Sequence, residues 1–180
     1  KGDYSYPKNE RQRFEICVGA ILAQNIGWIG AQRAVIQLRR TGAIDARSLL
    51  STPLPKLKAA IRPAGYFNQK ARKLKGFAKF YLTLRGRRPK REELLSVWGI
   101  GPETADSVLL YAYGVPSFVV DAYTRRLFAA MRLIKKEDGY DEIRRFFEAN
   151  LPKDAKIYNE YLALIVEHAK RTKSFSWCKK

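Results

Sequence analysis

The chain has 180 residues, of which 46% are hydrophobic and 29% are charged, a composition typical of one globular domain or two small ones. This composition excludes disordered and fibrous proteins. With 35 Lys and Arg against 17 Asp and Glu, the net charge is +18, and residues 1–90 hold 20 of the basic residues but only 4 of the acidic ones. A charge of this size favours a polyanionic partner, and we expect nucleic acid rather than an anionic membrane surface.

Neither a membrane span nor a secretion signal nor a metal site is expected. Residues 16–32 form the longest stretch without an ionisable side chain, which is shorter than the ~20 apolar residues of a membrane helix. The N-terminal residues contain no apolar signal region, which favours a cytoplasmic protein, associated with the nucleoid if DNA is its partner. Two cysteines, Cys17 and Cys178, and one histidine, His168, are too few for a disulfide framework or a His-rich metal site.

Apolar residues recur at helical spacing along nearly the whole chain, and no segment alternates as a β-strand does. The sequence therefore predicts an all-α protein of about nine short helices. In chain order, helices are predicted around 14–21 and 34–38, after Pro55, over 68–84, from Glu92, over 104–112, after an N-cap at Asp121, over 140–150 and over about 155–173.

A glycine-bounded turn, Gly99-Ile100-Gly101, separates two of these helices and is the sharpest local signal. Because glycine has no Cβ and tolerates positive φ, such a turn can direct its backbone N–H groups outward. Together with the start of the helix that carries Thr104 and Ala105, these donors make a phosphate cradle. In a strongly basic chain, the turn and Thr104 are therefore predicted to contact DNA.

With this turn, the chain resembles the helix-hairpin-helix DNA glycosylases of the endonuclease III superfamily over almost its whole length. Three further blocks fit in order, at residues 20–25, 65–71 and 119–126. In those proteins an Asp follows the hairpin by about twenty positions, as Asp121 follows Gly101 here. The closest likeness within the superfamily is to the 3-methyladenine DNA glycosylase III (MagIII) branch, on residues 22–25, 62–71, 99–106 and 165–167.

The resemblance implies a two-lobed helix-hairpin-helix glycosylase fold with the DNA cleft between the lobes. Residues 22–116 are expected to form a six-helix lobe that contains the hairpin, and residues 1–21 plus 117–180 a discontinuous second helical lobe. Endonuclease III itself holds a [4Fe-4S] cluster on four C-terminal cysteines, of which this chain has only Cys178, so no iron–sulfur cluster is expected on the residues shown. A monovalent cation at the hairpin is left open.

Two acidic residues define the expected chemistry. Bifunctional members of the superfamily have a lysine two residues after the last hairpin glycine, which forms a Schiff base with the sugar; Glu103 stands there in this chain. A carboxylate does not attack C1′ as an amine does, so the resemblance implies a monofunctional enzyme without lyase activity. Asp121 is the candidate catalytic residue, because a carboxylate beside C1′ stabilises the oxocarbenium-like transition state and orients water. Its local context alone indicates only an N-cap, and both roles are compatible.

Base flipping requires a residue that fills the vacated stack and a pocket that receives the base. By likeness, Gln24 fills the stack, Tyr66 wedges the opposite strand, and Asn25 lies beside them on the DNA. Lys70 and Arg125 are candidate phosphate contacts, although each is individually more typical of a solvated surface charge. The candidate pocket residues are Trp98, which adjoins the hairpin, and Trp28, Phe67, Tyr6 and Glu103, of which one or two aromatics are expected to line the pocket and Glu103 either lines it or faces solvent.

The sequence thus predicts a monofunctional DNA glycosylase that excises alkylated purines of the 3-methyladenine type, acting as a monomer on double-stranded DNA with a damaged base. An N3- or N7-alkylated purine already carries positive charge and leaves without strong acid catalysis, which suits a chain with one histidine. A mismatch uracil or thymine glycosylase on the same scaffold and a non-catalytic DNA-binding module remain as alternatives. A role at a membrane surface is not expected.

Overall fold

The computed structural model describes residues 6–171, and within them all the regular secondary structure is helical, which confirms the all-α prediction. Short 3₁₀ and π-helical segments, Arg62–Ala64 and Val108–Ala112, complete the helices. The α-helices are α1 (Glu10–Leu22), α2 (Trp28–Arg40), α3 (Ala46–Ser51), α4 (Leu54–Ala60), α5 (Phe67–Thr83), α6 (Arg91–Leu95), α7 (Pro102–Ser107), α8 (Ala122–Ala130), α9 (Tyr140–Asn150) and α10 (Ala155–Arg171).

Polar side chains fix the start of several helices. Asp45 caps α3 by accepting hydrogen bonds from the backbone of the first turn. Asp121 caps α8, with its Oδ1 2.7 Å from the backbone nitrogen of Thr124. The N-cap predicted from the sequence at Asp121 is therefore confirmed, and the cap fixes the direction in which the carboxyl group enters the molecule.

The buried apolar side chains form two clusters, one from Phe14 to Ala112 and one from Leu110 to Ile165. The clusters meet in the π-helical segment, where Leu109 packs into the first cluster and Leu110 into the second. The sequence predicts residues 1–21 in the second lobe, but α1 packs in the first cluster. Its apolar face is covered by α5, with the ring of Phe14 4.9 Å from that of Tyr81.

A buried carboxylate links the hairpin to the second cluster. Asp106 in α7 is fully buried and accepts a bidentate pair from Arg91 of α6, at 2.8 and 3.1 Å. The hydroxyl of Ser117, on the segment that leads to α8, donates to the same carboxylate at 2.6 Å. Arg91 also donates to Asp141 of α9 at 2.7 Å. Four separate parts of the chain therefore converge on this one ionic group.

Removal of this carboxylate should destabilise the protein strongly. Asp106→Ala leaves the half-buried guanidinium of Arg91 and the buried hydroxyl of Ser117 without their main partner, and we expect the free energy of unfolding to fall by about 3 kcal/mol. Urea denaturation followed by circular dichroism measures this loss. The matched control is Glu167→Ala, which removes the exposed pair with Arg171 and should cost about 0.5 kcal/mol or less. Equal losses in the two variants would contradict the central role of Asp106.

Candidate active site

A cavity of about 1080 Å³ opens where the two clusters face each other, a size at the upper end of ligand sites. One wall consists of α1 and α2, with Gly19, Ala20 and Trp28 facing the space. The opposite wall consists of α7 and the segment that leads to α8, including Glu103 and Asp121. The hairpin glycines close one end, so the cavity adjoins the predicted phosphate cradle.

Asp121 lines this cavity and caps α8 at the same time. Only its Oδ1 is used by the cap, and within residues 6–171 its Oδ2 accepts no hydrogen bond. The side chain is half-buried, so one oxygen is available to a reacting group while the other holds the carboxyl in place. The geometry therefore accommodates both roles that the sequence suggested for this residue.

Glu103 lies in the first turn of α7, where its side chain is exposed and also lines the cavity, so both positions that the sequence left open apply. Its side chain opens onto the cavity, yet surrounding protein atoms remove part of its hydration, and this raises its pKa. The negative charge of Asp121 raises this pKa further, and the positive charge of Arg125 opposes the shift. Loss of hydration likewise raises the pKa of Tyr111 and of Tyr140, two further cavity residues that the charge of Glu103 also influences.

The hairpin has the backbone geometry predicted for a phosphate cradle. Gly99 has φ +83°, and a Cβ there would lie 2.6 Å from Cγ of Lys73 in α5, so only glycine fits without strain. Gly101 is the extended residue before α7. The N–H groups of both glycines donate to no acceptor within residues 6–171 and are thus available to a ligand. Ile100 is buried in the first cluster, so its side chain anchors the turn and does not reach DNA.

Gln24 joins the end of α1 to this hairpin. Its Nε2 donates to the carbonyl oxygen of Gly99 at 3.1 Å and to Oγ1 of Thr104 at 2.8 Å, and its Oε1 accepts from Nζ of Lys73 at 2.5 Å. Thr104 is buried, which corrects the expectation that it contacts DNA: its hydroxyl holds Gln24 instead. The adjacent Asn25 has φ +57° and lines the cavity.

The aromatic candidates divide into two groups. Trp28 and Tyr6 line the cavity, and the indole of Trp28 is 61% exposed and thus open to stacking. Trp98 lies outside the cavity wall. Its indole packs against Arg72 of α5 instead, with the guanidinium carbon 4.2 Å from the ring centre. Phe67 also lies outside the wall and packs against the first cluster. The prediction that Trp98 and Phe67 line the pocket is therefore wrong.

The two candidate phosphate contacts are already engaged within the protein. Lys70 is 2% exposed, and its Nζ donates to the carbonyl oxygens of Leu22 and Ala64, at 2.8 and 2.7 Å. Burial, with a contribution from Lys73, lowers the pKa of Lys70 to about 8. Arg125 is half-buried and donates to the carbonyl oxygen of Asp138 at 2.9 Å. Lys70 is therefore a structural lysine, which corrects its assignment to DNA.

Tyr66 has the exposure that a wedge requires. Its side chain is 65% exposed, and the left-handed conformation of the residue, with φ +44°, turns the chain into α5. Lys70 ties the backbone just before Tyr66 to the backbone just before Gln24 through its two carbonyl contacts. The two predicted DNA probes therefore project from neighbouring, mutually fixed loops.

Several polar residues of the cavity are not predicted from the sequence, among them two tyrosines and an ion pair. Tyr111 and Tyr140 lie on the wall with the carboxylates, and Glu15 and Arg39 form an ion pair at the other end, with Nε of Arg39 2.7 Å from Oε2 of Glu15. No local motif marks them. Their convergence depends on how the helices pack.

Two kinds of site were sought in the part of the chain that the structure describes, a metal centre and a membrane-spanning helix. No group of three or more His, Cys, Asp and Glu side chains is arranged to hold a metal ion. No helix between residues 6 and 171 has the length and hydropathy needed to cross a membrane. Cys17 is buried in the first cluster, and Cys178 lies outside the described residues.

Comparison with known proteins gives consistent matches. The model of the HhH-GPD superfamily base excision DNA repair proteins matches residues 18–153. A candidate DNA repair glycosylase of Methanocaldococcus jannaschii, MJ1434, is 46% identical over 170 residues, which cover 88% of this chain and 77% of that protein. Endonuclease III of Sulfolobus acidocaldarius is 27% identical over 168 residues, 90% of this chain and 74% of that protein.

Among solved structures, the H. pylori 3-methyladenine DNA glycosylase MagIII bound to 1,N6-ethenoadenine superposes with a TM-score of 0.78 at 28% identity, over 88% of this chain and 85% of that one. An endonuclease III–DNA complex superposes with a TM-score of 0.71 at 24% identity, which supports the fold. The family match spans the hairpin, both carboxylates and most of both clusters. The chain belongs to the HhH-GPD superfamily of base excision DNA repair proteins.

Proposed function

We propose that this protein is a monofunctional DNA glycosylase that removes alkylated purines by base flipping and hydrolysis of the N-glycosidic bond. The observation that carries the proposal is a carboxylate inside a strongly basic protein: Asp121 lies on the wall of a cavity that Trp28 also lines, with its indole exposed. A stacking surface and negative charge favour a base that carries positive charge, as N3- and N7-alkylated purines do. The structurally similar MagIII, which binds 1,N6-ethenoadenine, supports a purine as the substrate.

In this reaction, Asp121 has the central role. As the bond from C1′ to the base breaks, positive charge develops on the sugar, and the free Oδ2 of Asp121 stabilises it and orients the attacking water. The cap to Thr124 keeps the carboxyl fixed, so little reorganisation accompanies the reaction. The free N–H groups of Gly99 and Gly101 bind a phosphate beside the flipped nucleotide.

We assign the DNA contacts beyond the hairpin to the loops that follow α1 and precede α5. Gln24 and Tyr66 probe the two strands, and Asn25 lies between Gln24 and the cavity wall. The protein acts on damaged double-stranded DNA as a monomer, in the cytoplasm with the nucleoid. A monovalent cation at the hairpin stays an expectation. The carbonyl oxygen of Gly99 already accepts from Gln24, and no step of the proposed reaction depends on a cation.

The catalytic role of Asp121 is separable from its structural role. Asparagine caps helices about as well as aspartate, so Asp121→Asn should change the free energy of unfolding by less than about 0.5 kcal/mol. We expect single-turnover release of 7-methylguanine from duplex DNA to fall by about 10²-fold or more, because the negative charge is lost. Asp45→Asn, at the N-cap of α3, is the matched control and should retain activity. Unchanged excision by Asp121→Asn would leave Asp121 as a cap only.

The absence of lyase activity is tested on the same duplex. We expect the product strand to stay intact until alkali is added, and borohydride to trap no covalent protein–DNA adduct, because Glu103 replaces the Schiff-base lysine. Among the described residues, Lys73 is the lysine on the cavity wall, and its Nζ is bound to Gln24. A trapped adduct would refute the monofunctional assignment, and its loss in Lys73→Met would identify that amine as the nucleophile.

The role of the hairpin in DNA binding is tested by a substitution at Gly99. Gly99→Ala places a Cβ against Lys73 in a conformation that disfavours side chains, so the turn should distort and DNA affinity should fall roughly tenfold. Fluorescence anisotropy with a duplex that carries an abasic-site analogue measures this change. Gly76→Ala is the control, because its Cβ would meet nothing within 4 Å in the middle of α5. Equal affinities of the two variants would exclude the hairpin as a phosphate site.

A further inference from the structure

We propose that Glu103 is a second catalytic group, a general acid that donates a proton to the departing base, so that this site excises neutral purine lesions as well as cationic ones. The proposal rests on the proposed function, because it concerns the same cavity and the same bond. It extends that function to a class of substrate for which the cationic mechanism alone does not suffice.

The first observation is the position of the two carboxylates. Glu103 and Asp121 come from the starts of different helices, α7 and α8, yet line the same cavity. Asp121 is held by the cap to Thr124, whereas the carboxyl group of Glu103 makes no hydrogen bond within residues 6–171. A group without a structural partner is free to exchange a proton with a ligand in the cavity.

The second observation is the charge around Glu103. The charged groups that act on Glu103 are Asp121, at the N-cap of α8, and Arg125 within α8. The charge of Glu103 in turn acts on Tyr111 of the π-helical segment and Tyr140 at the start of α9. Arg125 is the cation among these groups, and its guanidinium already donates to the backbone of the α8–α9 loop. Loss of hydration and the charge of Asp121 both raise the pKa of Glu103, and a base that displaces water from the cavity acts in the same direction.

The two carboxyl groups, in different environments, therefore take different roles: Glu103 is the acid and Asp121 the carboxylate. The bond from C1′ to the purine nitrogen breaks and its electron pair goes to the base, while the carboxylic acid of Glu103 transfers its proton to a ring nitrogen, so the base leaves neutral. Asp121 stabilises the cationic sugar. Water then adds to C1′ and releases one proton to the carboxylate of Glu103, which restores its acid form. The reaction is a simple hydrolysis and needs no other reactant.

A cationic base needs no proton from the enzyme. Release of such a base is therefore the reference against which loss of the acid is measured. Single-turnover excision is measured on two duplexes of the same sequence, one with 7-methylguanine, which is cationic, and one with 1,N6-ethenoadenine, which is neutral. We expect Glu103→Gln to slow release of 1,N6-ethenoadenine by about 10²-fold and to leave release of 7-methylguanine within about threefold. Retained activity on 7-methylguanine also shows that the variant folds.

The pH dependence supplies the second readout. A general acid acts while protonated, so the wild-type rate on 1,N6-ethenoadenine should fall as the pH rises through the raised pKa of Glu103, and this fall should be absent in Glu103→Gln. The matched control is Glu92→Gln, which removes an exposed acid from the first turn of α6, away from the cavity, and should match wild type on both substrates.

Each contrary result has a distinct meaning. Equal slowing of both substrates, or no slowing of either, would overturn the role of Glu103 as an acid. If the wild type releases 7-methylguanine but not 1,N6-ethenoadenine, this inference fails while the proposed function stands. If the wild type binds both duplexes and releases neither base, the proposed function fails and this inference fails with it.

Discussion

The carboxylate of Asp106 is the interaction on which the arrangement of the site depends. It is fully buried, and the charge of Arg91 and the hydroxyl of Ser117 compensate for its desolvation. Because Asp106 follows Glu103 by one helical turn and Ser117 precedes Asp121 by four residues, this ionic group fixes the two acidic wall residues relative to each other. The hairpin and the entry to α8 are thus held by the same contact.

The distribution of charge explains how a basic protein forms an acidic pocket. A net charge of +18 attracts a polyanion over long distances, and most of the excess lies in the first ninety residues. The cavity wall formed by α7 and the start of α8 comes from the nearly neutral second half of the chain. In the proposed reaction, the positive surface brings DNA to the protein, while Asp121 on the acidic wall stabilises the positive charge that develops at the sugar.

The sequence predicted the helices, the hairpin and the cap at Asp121 because each depends on nearby residues. It did not predict the burial of Lys70, although a signal was present: Lys70 lies in the apolar stripe of α5 with Ala71 and Leu74, at the spacing of core positions. The sequence placed Trp98 in the pocket because it is adjacent to the hairpin. The turn at Gly99 instead leaves the indole against Arg72, and such a direction depends on backbone geometry that neighbouring letters do not encode.

In the unbound protein, hydrogen bonds hold the side chain of Gln24 away from the position that a stack-filling residue must reach. Its side-chain amide donates hydrogen bonds to Gly99 and Thr104 and accepts one from Lys73. To fill a vacated base stack, Gln24 must first break these hydrogen bonds. Each hydrogen bond lost costs about 1 kcal/mol net, more where a buried group such as the Thr104 hydroxyl stays unsatisfied. Lys73, once released, offers its charge to a phosphate beside the hairpin, which offsets part of that cost. In the proposed complex with DNA, insertion of Gln24 and phosphate binding at the hairpin are therefore coupled through Lys73.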